Sequence, residues 1–248
     1  LTYAQVVMYT SDYGYSDRLS QALARGLTKT GVAVEMLDLS VTDTQELVET
    51  VGAHSGIALL APPSQGPAHD AMKTLLACVK SKQTFLVAER YGGNDDPVDV
   101  ITSQLIGVGL TPLMNAIRCR DDPTEETYQQ YEEAGADFGQ SITQKDVIKA
   151  KKEAMDNETA KALGRISGGL YVVTAAKGSS RSAMIASWVA QASFEPLGLS
   201  IAVAKDRAIE SLMQVGDKFA LNCLDEGSYN DVMKHFLKRF PPGADRFE

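Results

Sequence analysis

Residues 4–142 alternate short apolar runs with amphipathic stretches, and that alternation restricts the chain more than any other feature of it. "AQVVMYT" (4–10), "VAVEMLDL" (32–39), "SGIALLAP" (55–62) and "QTFLVAE" (83–89) read as strands, and a fifth lies around 112–119. Between them the apolar residues fall at helical spacing. Leu19, Ala22, Leu23 and Leu27 line one face of 16–29. Further helices fall at 43–51, with Asp43 as N-cap, near 68–80 and at 97–108. A last one follows Pro123, with Glu125 and Glu126 in its first turn. Strands separated by helices pair parallel rather than as hairpins, and right-handed crossovers then put helices on both faces. Five such units in about 140 residues predict a doubly wound α/β fold with a five-stranded parallel sheet.

The pattern changes after Ile142. "TQKDVIKAKKEAMDNETAKAL" is charged, has no aromatic residue and reads as a linker with helical tendency over 143–160. Beyond it come "GGLYVVTAA", "AMIASWVAQASF", "LGLSIAVA" and "KFALNCL", with helices at 206–214 and 228–239. Consecutive strands without helices between them predict an antiparallel sheet or barrel. The chain therefore divides into a doubly wound domain over 1–142, the linker, and a partial β-rich domain over 161–248.

The net charge of −8 argues against a nucleic-acid backbone as partner. No apolar run reaches the roughly 20 residues of a membrane span. Cys78, Cys119 and Cys223 are too far apart for a CxxC site and fit reduced, mostly buried thiols in a cytosol-like compartment. His54, His69 and His235 are scattered, so no metal site is expected. The chain opens on Leu1, almost directly on a strand, and is expected to be a fragment of a longer polypeptide.

In a doubly wound sheet, ligands sit outside the carboxyl ends of the strands at the switch point. That rule selects three loops. "TSDYGYS" follows the first strand, and its hydroxyls and the next helix's N–H groups suit a phosphate held by neutral donors. Neither GxxxxGK[ST] nor GxGxxG is present, which favours a mononucleotide such as FMN over ATP or a dinucleotide. "APPSQGP" (61–67) is stiffened by two prolines, and Gly66 allows close backbone approach. "ERYGGNDD" (89–96) offers Tyr91 for stacking and Gly92 and Gly93 as room for a flat heterocycle. Each loop alone is also an ordinary turn. Their convergence at one end of one sheet is what points to a mononucleotide site.

The three loops resemble those of flavodoxin-like domains, most closely the flavodoxin module of flavodiiron proteins. The resemblance implies that Ser11, Asp12, Tyr13, Gly14, Tyr15 and Ser16 surround the FMN phosphate and ribityl chain. It implies that Pro62, Pro63, Ser64, Gln65 and Gly66 line one side of the flavin, and Arg90, Tyr91, Gly92, Gly93 and Asn94 the other. Gly93 stands where the family often has an aromatic residue. "GRISGGLYVVTA" (164–175), "AMIASWVAQASFEPLGLSIAV" (183–203) and "FALNCL" (219–224) resemble the start of a flavin reductase domain, a split barrel. There the resemblance implies contacts of Ser187, Trp188, Val189, Ser193 and Phe194 with a second flavin, FMN or FAD, and of Lys205 with its phosphate. The bland reading of Trp188 and Phe194 is core packing.

The order of the modules resembles the C-terminal part of the diflavin flavodiiron proteins of oxygenic phototrophs. That resemblance implies NAD(P)H as electron donor, a homo- or hetero-oligomer, and a cytoplasmic or stromal location. It also implies an upstream metallo-β-lactamase-like domain, in cis or in a partner subunit, whose diiron site reduces dioxygen, a photoprotective electron sink. No side chain is assigned a catalytic role. Two other readings remain open on sequence: a flavodoxin-like assembly module without activity, and an NAD(P)H quinone reductase.

Overall fold

The computed structural model describes residues 4–10, 15–60, 67–90, 97–119, 122–154, 158–163, 165–166, 168–227, 229–238, 240 and 243–248. Strands β1 (Ala4–Tyr9), β2 (Ala33–Asp38), β3 (Gly56–Leu60) and β4 (Thr84–Arg90) pair parallel in the order β2-β1-β3-β4. The fifth position is filled by two pieces, β5 (Thr111–Pro112) and β6 (Ile117–Cys119), both parallel to β4. Sequence predicts one strand there. Pro112 has no N–H to continue the ladder. Phe85 faces Pro112 and Ala88 faces Ile117, so three steps along β4 span five along its neighbour and the surplus bulges out. The order 2-1-3-4-5 is the flavodoxin-like one, with its switch point between β1 and β3.

Helices α1 (Tyr15–Lys29), α2 (Thr44–Ala53), α3 (Pro67–Cys78), α4 (Pro97–Gly107) and α5 (Glu125–Ala154) cover the sheet. The side chains of Leu19, Ala22, Leu23 and Leu27 are fully buried, as their spacing predicts. Asp43 caps α2 by accepting from the Glu46 N–H at 2.9 Å. One core lies between the sheet and α2, α3 and α4, built on Leu47, Val51, Ile57, Leu75 and Phe85. The other lies under α1 and α5, built on Val7, Leu23, Leu27, Ala58 and Phe138. α1 and α5 meet backbone to backbone. A Cβ at Gly26 would collide with the Glu132 carbonyl, one at Gly135 with the Leu23 carbonyl, and one at Gly139 with Thr30 Oγ1.

α5 does not stop where the aromatic content does. It runs 30 residues to Ala154, through most of the stretch that sequence reads as linker, and α6 (Glu158–Leu163) follows. Ala, Lys, Glu and Gln are strong helix formers, so a charged segment without a wide apolar face still stays helical. Beyond it β7 (Tyr171–Lys177), β8 (Ser180–Ala186) and β11 (Phe219–Cys223) form an antiparallel sheet in the order β11-β7-β8. β9 (Val189–Phe194) and β10 (Leu197–Ile201) form a hairpin. The run 183–194 is thus two strands in different sheets, parted at Ser187 and Trp188. The expected helix at 206–214 is a short 3-10 turn, η1 (Ala208–Leu212), and α7 (Tyr229–Leu237) closes the series. Val173, Ala175, Ala186, Ile209 and Leu212 make a small core of their own. Cys119 is buried and Cys78 half-buried, but Cys223 is exposed, because β11 has no covering layer on that side.

The glycine contacts give a direct test. Gly135→Ala should lower stability by about 1–3 kcal/mol, because the new methyl meets a backbone carbonyl that no rotamer change can move. Gly107→Ala, at the end of α4 with nothing within 4 Å, should be neutral or stabilising by up to about 1 kcal/mol. Urea midpoints of the two variants check both.

Candidate functional site

Parallel strands with helical crossovers bring the carboxyl ends of β1, β3 and β4 and the first turns of α1, α3 and α4 to one end of the sheet. The three loops singled out by sequence connect these ends. Ser11, Asp12, Tyr13 and Gly14, Pro62, Pro63, Ser64, Gln65 and Gly66, and Tyr91, Gly92, Gly93 and Asn94 lie outside the described residues. Arg90 ends β4, opposite Cys119 of β6. Tyr15 and Ser16 open α1, and Ser16 is buried.

Around that end the described residues leave buried polar atoms without a partner. Thr10 Oγ1, directly after β1, is one. Tyr128 Oη, in the first turn of α5, is another; Gln5 Oε1, Ser20 Oγ and Thr102 Oγ1 are orphaned elsewhere in the domain. Arg18, in the first turn of α1, lies over the Tyr128 ring at 5.2 Å and draws the two helix starts together. Asp17 Oδ1 accepts from the Arg18 N–H at 2.9 Å. Tyr9 ends β1 beside these groups; burial, reinforced by Asp38 and Asp17, pushes its phenol above the usual range and keeps it protonated. Buried hydroxyls are almost always bonded, so Thr10 and Tyr128 leave hydrogen-bonding capacity at this sheet end that a polar ligand can take up. Donor hydroxyls and a helix N-terminus together suit a phosphate ester.

Thr10 and Tyr128 were missed by the loop reading. Thr10 sits inside the quoted turn, where its hydroxyl was the available signal. Tyr128 carries none, because only folding brings the start of α5 against α1.

The residues assigned to a second flavin lie on and around the hairpin. Trp188 and Phe194 are 77% and 86% exposed in this chain, so neither belongs to the small core described above. Val189 packs partly against the small core. Ser193 Oγ donates to the Pro196 carbonyl at 2.6 Å within the hairpin turn. Ser187 and Lys205 are exposed. Among these, only the hairpin residues are brought together. Among the described residues no His, Cys, Asp or Glu group can hold a metal ion, and no helix is long and apolar enough to cross a membrane.

Residues 163–248 match the flavin reductase like domain family. Diflavin flavoprotein A 1 of Synechocystis sp. is 54% identical over 244 residues, which are 98% of this chain and 42% of that protein. The chain thus spans about two fifths of the length of the curated relatives it matches. The crystal structure of a flavodoxin-like domain from a Synechococcus sp. protein is 48% identical, with a TM-score of 0.53, covering 56% of this chain and 99% of that one. The metal-soaked Flv1 flavodiiron core of Synechocystis sp. is 28% identical, with a TM-score of 0.54, covering 58% of this chain and 36% of that one.

Removing an orphan hydroxyl relieves an unmet desolvation cost. Thr10→Val and Tyr128→Phe should therefore leave the stability of the ligand-free chain unchanged or raise it by up to about 1 kcal/mol. Thermal denaturation without added ligand checks this, and a clear loss would show that the hydroxyls are bonded after all.

Proposed function

Because the chain belongs to the diflavin flavoprotein A family, we propose that it holds FMN at the carboxyl end of its parallel sheet and serves flavin-dependent electron transfer. The observation that carries this is the set of buried, unpartnered hydroxyls at the switch-point end of a flavodoxin-like sheet. The group would lie with its phosphate at the first turn of α1, among residues 11–16, and its ring between the loops 62–66 and 90–94. When bound, the isoalloxazine supplies the redox chemistry, and the protein supplies position and electrostatics. Thr10, Ser16 and the first-turn N–H groups of α1 would hold the phosphate by hydrogen bonds. Tyr128, pinned under Arg18, closes the α5 side of the pocket and excludes water from it.

On this reading residues 1–142 are the FMN module, 143–160 the connection, and 161–248 part of a flavin reductase-like module. In the whole protein, residues around Trp188 and Phe194 would hold a second flavin that accepts electrons from NAD(P)H, and the FMN held by residues 1–142 would serve as carrier to an upstream diiron domain with dioxygen as its substrate. That domain lies in cis or in a partner subunit of an oligomer, and the protein works in the cytoplasm or stroma of a phototroph. The present residues supply the carrier part alone and should not reduce dioxygen to water by themselves.

The purified chain incubated with FMN should show the visible absorbance of bound oxidised flavin. A protein that stays colourless and takes up no FMN would overturn the reading. Ser16→Asp puts a negative charge beside the phosphate and should weaken FMN binding by about 10- to 100-fold. Thr10→Val, silent in the ligand-free chain, should weaken it by about 5- to 10-fold. Fluorescence titration with FMN measures both.

A further inference from the structure

The β-rich part sits on α5 through polar groups rather than an apolar seam. Lys29 of α1 pairs with Glu132 of α5 and Glu210 of η1. Gln129 Nε2 donates to Asp217 Oδ2 at 3.0 Å, and Gln130 Nε2 to the Lys177 carbonyl at 2.8 Å. Gln140 Nε2 donates to the Asp206 carbonyl. The most buried member of this joint is a charge cluster with an odd count. Glu133 and Asp137 lie one turn apart on α5, with side chains 12% and 10% exposed, and one guanidinium, Arg246, serves both. Arg246 Nη2 reaches Asp137 Oδ1 at 2.6 Å, and its Nη1 lies 3.5 Å from Glu133 Oε1 and donates to Ser182 Oγ of β8. The Gly243 N–H donates to Asp137 Oδ2 at 2.9 Å. Cavities of about 370 and 320 Å³ flank the cluster, both touching Asp137 and Arg246, and leave room beside it for water to enter.

We propose that Glu133, Asp137 and Arg246 form a proton-operated latch that seats the β-rich part on α5, closed while Glu133 carries a proton and loosened when it is ionised. One proton on the pair leaves Asp137 and Arg246 as a neutral ion pair. Without it the joint holds two buried carboxylates against one cation, and carboxylates at i and i+4 repel. Letting water in and parting residues 243–248 and β8 from α5 relieves the excess charge. Burial, followed by the neighbouring Asp137, pushes the Glu133 carboxyl from its ordinary 4.5 up to about 7, with Arg246 pulling the other way. Burial also raises Asp137, against the pull of Arg246 and the Gly243 N–H.

The seated form holds the proton more tightly than the parted form. Seating is therefore strongest at low pH, weakens as pH rises from the ordinary carboxylate range to about 7, and changes little beyond. The other charged groups at the joint are Arg118 of β6, Arg181 of β8 with its partner Asp245, Arg207 before η1, and Lys238 after α7. His235 of α7 also faces the joint, and its Nε2–H donates to the Arg246 carbonyl at 2.7 Å. The latch does not depend on flavin occupancy, so it stands or falls separately from the FMN site.

Hydrogen exchange of the full chain tests it, with protection at residues 243–248 and in β8 corrected for the intrinsic pH dependence of exchange. Protection should fall by up to about 70-fold between pH 5 and pH 8, the ceiling set by carboxyl values of 4.5 parted and about 7 seated. Glu133→Gln should stay protected at pH 8 and lose the slope. Asp137→Asn leaves Glu133 and Arg246 one to one and should make the slope shallower, with burial of Glu133 sustaining what remains. Arg246→Ala should lose protection at every pH. A wild-type slope in either folded carboxylate variant, or a slope abolished by His235→Asn alone, would overturn the latch.

Discussion

Gly26 and Gly135 let α1 and α5 touch backbone to backbone, Gly139 makes room for the Thr30 side chain, and both parts of the chain depend on that contact. It seats Leu23 and Leu27 against Phe138 and over Val7 and Ala58, which closes one face of the parallel sheet. It also fixes where the first turns of the two helices stand, and so places Arg18 over Tyr128 at the sheet end where the loops converge. The other side of α5 then carries the β-rich part. A helix held farther from the sheet by ordinary side chains would move the site and the joint together. Interhelical spacing follows the side chains at the crossing, and here the side chains are hydrogen atoms.

The two sides of α5 are built on opposite principles. Against α1 it is close and mainly apolar, with ion pairs from Arg25 and Lys29 to Glu132 at the margin. Against the β-rich part it is polar, with Lys29 shared between Glu132 and Glu210, and Arg246 between Glu133 and Asp137. Apolar packing fixes a distance. A joint of charged groups flanked by cavities responds to protons and salt. The β-rich part also keeps exposed apolar side chains, Trp188, Phe194 and Leu197 among them, and its own core is small.

The fold of the first part was legible because its periodicities are strong. "GIALL" is buried at every position and could only be a central strand, and the helical spacing of Leu19, Leu23 and Leu27 survives intact in α1. What failed failed for local reasons. Pro112 divides a strand that hydropathy reads as one, and β8 and β9 part at Ser187 and Trp188 within a stretch that sequence reads as continuous. By contrast, the helical tendency read in the linker stretch holds, as α5 and α6, because helix propensity does not need an apolar face.

The site divides along the same line. Sequence by itself determined the α/β alternation, hence a parallel sheet, hence the end of it at which a ligand must bind, because crossover handedness and strand direction leave no other end. It also marked the turn that follows β1. Only the tertiary structure decided that Tyr128 joins that end, that Thr10 is left without a partner, and that Arg246 reaches back to two carboxylates on α5. Those pairings link residues far apart in the chain. Their energies depend on burial and on distances of a few ångströms, and a local pattern of residue types holds neither quantity.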